Sequence, residues 1–279
     1  ELPGALGAAL KELRGLSHLY LEGCRLGRAG GLLLVLELAA EAAPGLRTLS
    51  LPVAGLGPEG MLALAPALPE QLEALNLRAN ALGPVGAEAL AKALPRLQCL
   101  HCLDLKFNGL GDRGVANLAR GLPQLSGLRA LSLADNAFGQ EGMRPLAQAL
   151  AALASLRSLN LSWNCLGDVA GASLLAGALH QLPLLQELHL KSVSLGAAGA
   201  AVLAPALPDG LRRLDLFRNP ALGRGGARAL AAAGPRLARL ESLDLRGSAV
   251  GAEALRALAA ALPPSAVLRA QDADGLVKE

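Results

Sequence analysis

The sequence predicts an α/β solenoid (horseshoe), with a parallel β-sheet on the concave face and α-helices on the convex face. Three observations predict it. A leucine block recurs nine times along the 279 residues, at intervals of 26 to 30. Within each block two leucines alternate with outward residues, the period of a strand. After each block comes an Ala- and Leu-rich run whose apolar residues return every third or fourth position, the period of a helix.

The block reads Leu-x-x-Leu-x-Leu-x-x-(Asn/Cys)-x-Leu-Gly, most clearly at Leu72, Leu75, Leu77, Asn80, Leu82 and Gly83. Copies begin at Leu16, Leu46, Leu72, Leu100, Leu128, Leu156, Leu185, Leu211 and Leu240. The run from Ala87 to Leu94 typifies the helices. Pro58 and Pro84 stand near helix starts, where a missing N–H costs little, and Pro69, Pro95, Pro123 and Pro183 stand where helices should end.

The ninth position is a column of amides, Asn80, Asn108, Asn136, Asn164 and Asn219, which should satisfy backbone groups freed where the chain leaves each strand. Copies with Cys24, Ala54, Val193 or Ser248 there should turn less rigidly.

One copy cannot cover its own leucines, so neighbours must. Parallel strands pair at ~4.8 Å whereas helices pack at roughly 8 to 10 Å, which bends the stack and predicts a concave face about 40 Å long. Residues 1–279 are read as one solenoid domain: 1–15 a partial N-terminal repeat with a helix over 4–15, 16–262 the nine repeats, and 263–279 a C-terminal cap or tail in which 266–270 adds a short edge strand.

The motif resembles the ribonuclease-inhibitor-like class of leucine-rich repeats, with Asn or Cys at the ninth position, over residues 16–262. Members of that class include the ribonuclease inhibitor, the sensor ends of nucleotide-binding innate-immune receptors, the Ran GTPase-activating protein and scaffolds such as the tonsoku-like repair protein. The resemblance implies the horseshoe fold and a role in binding rather than catalysis, and does not select a branch. It raises two alternatives to a scaffold: the ligand-sensing end of an innate-immune receptor, and a GTPase-activating regulator of the Ran-activator type. The loop arginine and asparagine of that activator map onto no motif here, and its acidic tail is missing.

Composition narrows the field. Aromatics are 2% of the chain while hydrophobic residues are 52%, so the core must be built from Leu, Ala and Val in many similar layers. Lys plus Arg number 26 against 23 acidic residues, a net charge of +3, far from a dedicated nucleic-acid binder. The most apolar stretch, Gly31 to Leu36, is interrupted by Glu37 and Glu41, well short of the ~20 residues a membrane span needs. Four dispersed cysteines and no basic-then-apolar leader predict an intracellular protein, cytoplasmic and/or nuclear, of which this chain is the repeat segment.

Motifs that could carry chemistry read as structural. Cys99-Leu-His-Cys102 is half a zinc site at most, because Cys24 and Cys165 fall about 14 and 10 Å away at strand spacing. Ser162, His189 and Asp215 lie on neighbouring copies without an oxyanion-stabilising motif, and no phosphate loop is present. The sequence thus predicts no enzyme, no cofactor, no metal and no small-molecule substrate.

The outward row of the strands is more informative. Four of the five aromatics, Tyr20, Phe107, Trp163 and Phe217, fall on it, while Phe138 replaces a core leucine. Outward aromatics in a chain whose core uses almost none are the residue type that anchors protein interfaces. Arg78, Lys106, Lys191 and Arg246 occupy the seventh position with Arg218 beside it, and Asp104, Asp215 and Asp244 each stand two residues before a seventh position. His189 shares a register position with Asp215. Such mixed charge suits a protein surface better than a polyphosphate. The predicted function is a protein-interaction module that docks a protein partner on its concave face, within a larger intracellular protein or complex.

Overall fold

Each leucine block forms a three-residue strand, and each strand finds its hydrogen-bond partners in the copies beside it. The computed structural model describes residues 15–24 and 45–270. The helix expected over 4–15 and the tail beyond Ala270 lie outside the described residues. Two compact units divide the chain, Glu1–Asn136 and Ala137–Glu279.

Unit 1 runs β1 (His18–Tyr20), β2 (Thr48–Ser50), α1 (Gly57–Leu64), β3 (Ala74–Asn76), α2 (Gly83–Ala93), β4 (Cys102–Asp104), α3 (Gly111–Ala119) and β5 (Ala130–Ser132). Its five strands pair in parallel and in chain order, with like repeat positions opposite each other: Leu49, Leu75, Leu103 and Leu131 form one column. Unit 2 runs α4 (Gln140–Leu150), β6 (Ser158–Asn160), α5 (Val169–Leu179), β7 (Glu187–His189), α6 (Ala197–Leu203), β8 (Arg213–Asp215), α7 (Gly223–Ala232), β9 (Ser242–Asp244), α8 (Ala252–Ala261) and β10 (Val267–Arg269). Here Leu159, Leu188, Leu214 and Leu243 align in the same way. The expected edge strand is present as β10, paired with β9.

In both units consecutive helices pack side by side. The column leucines are buried to within 2%. Each one stabilises its unit by roughly 1.5 to 3 kcal/mol, an amount available only because the next copy is there to cover it. Phe138 is fully buried in a leucine's place. Pro58 and Pro84 sit in the first turns of α1 and α2, as read from the sequence. Pro95 and Pro123 do not simply stop α2 and α3. They lie within short 3₁₀ turns, Leu94–Arg96 and Leu122–Gln124, that tighten the chain as it heads back to the sheet.

The amide column links successive copies. Asn108 Oδ1 accepts the N–H groups of Asn80 and Leu82 at 3.0 and 3.4 Å, while its Nδ2 donates to Leu77 and Leu105 carbonyls, both at 2.9 Å. Asn80 does the same for Ala54, Leu56, Leu51 and Leu77, and Asn219 for Val193, Leu195, Leu190 and Leu216. Each amide therefore clasps its own copy to the one before. At the end of the column Ser248 substitutes: its Oγ accepts from Asn219 N and donates to Leu216 O. The clasp on the Ala54 and Val193 turns comes from the following copy, so the amide those two positions lack would have served the copy upstream.

Asn108 is 1% exposed, and its removal strands several buried donors and acceptors at once. Asn108→Ala is expected to cost about 3 kcal/mol or more, measured as a fall in the denaturant midpoint followed by circular dichroism. Ser248→Ala, at a position with fewer bonds, should cost about 1 to 2 kcal/mol.

Candidate functional site

Two backbone devices shape the turn after each strand and decide how the outward row is displayed. The first lies at the strand's last residue. Where that residue is Asn or Asp, its Oδ1 accepts the N–H two residues on: Asn76 from Arg78, Asp104 from Lys106, Asn160 from Ser162, Asp215 from Phe217 and Asp244 from Arg246, at 2.9 to 3.2 Å. The aspartates of the predicted site thus aim the seventh-position side chains as well as charging the surface.

The second device is at the eighth position, just before the amide column, where every described copy is in the left-handed region. Gly23 and Gly247 fill it without strain, but Phe107 (φ 56°), Trp163 (φ 60°) and Arg218 (φ 56°) are bulky residues held in a conformation L-residues avoid. Each such residue costs about 1 to 2 kcal/mol relative to glycine. Neither aromatic folds inward to recover that cost: Phe107 is 58% and Trp163 40% exposed.

In unit 2 seven of the predicted site residues come together. The Arg218 guanidinium lies over the Trp163 ring at 5.5 Å and over Phe217 at 6.0 Å, and Arg246 lies over Phe217 at 5.6 Å. Trp163 and Arg218 belong to copies two apart. They meet because the intervening eighth position carries only Ser192. Beside this alternation of ring and cation runs an ion-pair row. Lys191 Nζ is 3.0 Å from Asp215, Arg213 is 2.7 Å from Glu187, Arg246 is 2.6 Å from Asp244, and His189 stands 3.8 Å from both Glu187 and Asp215.

Burial opposes ionisation of Asp215, but His189, Lys191 and the Phe217 N–H outweigh it and hold the carboxyl below the ordinary aspartate range. Asp244 in turn holds the Arg246 guanidinium protonated above its usual range.

In unit 1 the predicted residues are more dispersed. Arg78 and Lys106 leave the ends of β3 and β4, with Phe107 next to Lys106. Among the described residues no ring or cation stacks on Phe107. Tyr20, 67% exposed on β1, stacks on His18 at a centroid distance of 6.4 Å.

The predicted site omits Glu187 and Arg213, although they occupy one register position in adjacent strands. Complementary charge at equal repeat positions was the signal that could have found them. Ser162 is 2% exposed and its Oγ accepts the Lys191 N–H at 3.1 Å, so its hydroxyl serves the turn rather than His189. Although Cys102 is exposed as a residue, desolvation of its sulfur against the strand and then Asp104 push the thiol up, away from thiolate reactivity at neutral pH. Among the described residues no three His, Cys, Asp or Glu side chains are grouped to hold a metal ion, and no helix is long and apolar enough to cross a membrane.

A family model described as Leucine Rich repeat matches residues 71–91, 96–119, 126–147 and 152–175. No curated protein matches the chain in sequence. Solved structures share the fold. The leucine-rich-repeat-containing protein LegL7 of Legionella pneumophila is similar with TM-score 0.58 and 23% identity over 95% of this chain and 86% of that one. An internalin (InlF) of Listeria monocytogenes gives 0.52 and 17% over 96% and 87%. A chain of the yeast Rad7–Elc1 complex gives 0.51 and 20% over 95% and 74%.

Two outcomes follow from the site geometry. Trp163→Gly relieves the left-handed strain and forfeits an exposed cation–π contact of about 0.5 to 1 kcal/mol, so stability should hold steady or rise by about 1 kcal/mol in urea denaturation. A loss of about 2 kcal/mol or more would make the ring a structural cover instead. For Asp215, whose folded pKa is depressed, the stabilisation is present at neutral pH and is lost as pH falls through the folded pKa. NMR titration should place its midpoint below that of an aspartate in an unfolded chain, and Lys191→Ala should move it upward.

Proposed function

We propose that this chain, a leucine-rich-repeat protein, is a non-enzymatic interaction module that docks a protein partner on its sheet face, with the Trp163–Arg218–Phe217–Arg246 stack of unit 2 as the anchor. One observation carries the reading. A rare aromatic and a guanidinium are kept exposed at backbone positions where each costs about 1 to 2 kcal/mol that a glycine would not, more than their exposed cation–π contact of about 0.5 to 1 kcal/mol returns, and strain so retained marks a functional surface. Trp and Arg are also the residues that dominate binding energy at protein interfaces.

Tyr20, Phe107, Arg78 and Lys106 offer unit 1 a contact surface of the same composition, with Asp104 setting the Lys106 turn. Lys191, His189 and Asp215 give the unit 2 surface its register through charge. Repeat intervals of 26 to 30 residues and the ninth-position amides support assignment to the ribonuclease-inhibitor-like subtype. Free cysteines at 24, 99, 102 and 165, the last three exposed, suit a reducing intracellular compartment.

The test is site-specific cross-linking. A photoreactive phenylalanine analogue at position 163 should form a covalent adduct with a protein partner in cells, and the same analogue at the exposed Ala201 of α6 should not. Adducts from Ala201 alone would move the interface to the helices and end the sheet-face assignment.

A further inference from the structure

The cations of the unit 2 sheet face differ in what their hydrogen-bond donors meet. Lys191 is paired with Asp215, and Arg213 with Glu187. Arg246 is forked onto Asp244, its Nε 3.0 Å from Oδ1 and a terminal nitrogen 2.6 Å from Oδ2. Arg218 has no such partner: among the described residues no carboxylate lies within ion-pair distance of it and its guanidinium donates no hydrogen bond. It is nonetheless held in place. Trp163 and Phe217 meet it through their rings, and the Phe217 ring carries a guanidinium contact from Arg246 as well.

Ring contacts engage the flat face of a guanidinium, while its N–H groups lie in the plane and point outward. A stacked arginine is therefore oriented without spending its donors. The in-plane fork matches the two oxygens of a carboxylate, and flanking rings exclude water and strengthen that pairing. Arg246 shows the filled form of the arrangement, with Asp244 of its own copy supplying the oxygens.

We infer that Arg218 is the receptor for a carboxylate on a partner protein, so that this face recognises an acidic segment carrying Asp or Glu next to apolar side chains that rest on Trp163 and Phe217. The inference rests on the docking reading above and names the chemistry of its partner. Charge complementarity selects a single carboxylate over a polyphosphate. Asp215, Asp244 and Glu187 interrupt the positive groups, whereas a nucleic-acid backbone needs a continuous positive track.

The experiment is selection of a random peptide library against the wild-type chain, Arg218→Gly, Arg218→Lys and the helix-face control Arg256→Ala. Glycine suits the left-handed backbone at 218, so its variant should fold, which a circular dichroism melt checks. Selected peptides should be enriched in Asp or Glu beside an apolar residue with the wild type and Arg256→Ala, and the enrichment should vanish with Arg218→Gly. Trp163 is the chain's one tryptophan, so its fluorescence reports binding of each peptide directly. Gln or Asn replacements in the peptides, or Arg218→Gly in the protein, should weaken binding about tenfold or more, the size of a lost charge-assisted pair. Arg218→Lys, which keeps charge but loses the fork, should fall between.

Peptides without acidic enrichment, the same peptides selected by Arg218→Gly, the recovery of no binder, or a preference of the Trp163 signal for single-stranded DNA would each overturn the assignment. If the cross-link from position 163 still captures a protein in any of those cases, docking stands and only the carboxylate assignment falls. If that cross-link fails as well, both fall.

Discussion

A strand of three residues has too few hydrogen bonds and too little apolar surface to persist alone; it exists here because identical positions in the next copy complete both. Parallel pairing in strict register puts each column leucine against another leucine, and where position nine is an amide, as at Asn80, Asn108 and Asn219, it hooks its turn to the one before. The register is not a free choice. A one-residue slip would turn the leucines outward and separate every amide from the carbonyls it caps.

That constraint fixes the display of everything outward. The residue before position nine turns left-handed in every described copy, whatever its side chain and whether or not an amide follows it. Gly23, Ala79, Asp135, Ser192 and Gly247 answer with a small side chain. Val53, Phe107, Trp163 and Arg218 do not, and the resulting strain is supported by the packed leucine column, which over-determines the turn. The stability of the repeated layers is what permits a costly surface.

Electrostatics on that surface are local rather than global. The net charge of +3 says little, since the charges on the unit 2 sheet face other than Arg218 are answered within their own copy or by the adjacent one. What gives the face character is the alternation of ring and guanidinium drawn from three of four successive copies, made possible by a serine in the fourth where a larger side chain would intervene. Specificity of this kind depends on which donors remain free, not on summed charge.

Strand positions, helix positions, the inward leucines, Phe138 in the core and the bonding role of the amides were all legible in the sequence, because each follows from a period or from the chemistry of one residue type repeated at one position. The outward row could be enumerated in the same way, and His189 beside Asp215 came from repeat arithmetic. Only the tertiary structure decided which of those residues touch. Trp163 and Arg218 lie 55 positions apart in the chain with another copy between them. Their contact depends on side-chain reach, on the left-handed turns and on the size of Ser192. Periodicity places a residue on a face, but the direction in which its side chain leaves the backbone is set by the packed neighbours, and with it the difference between a guanidinium already paired and one left open.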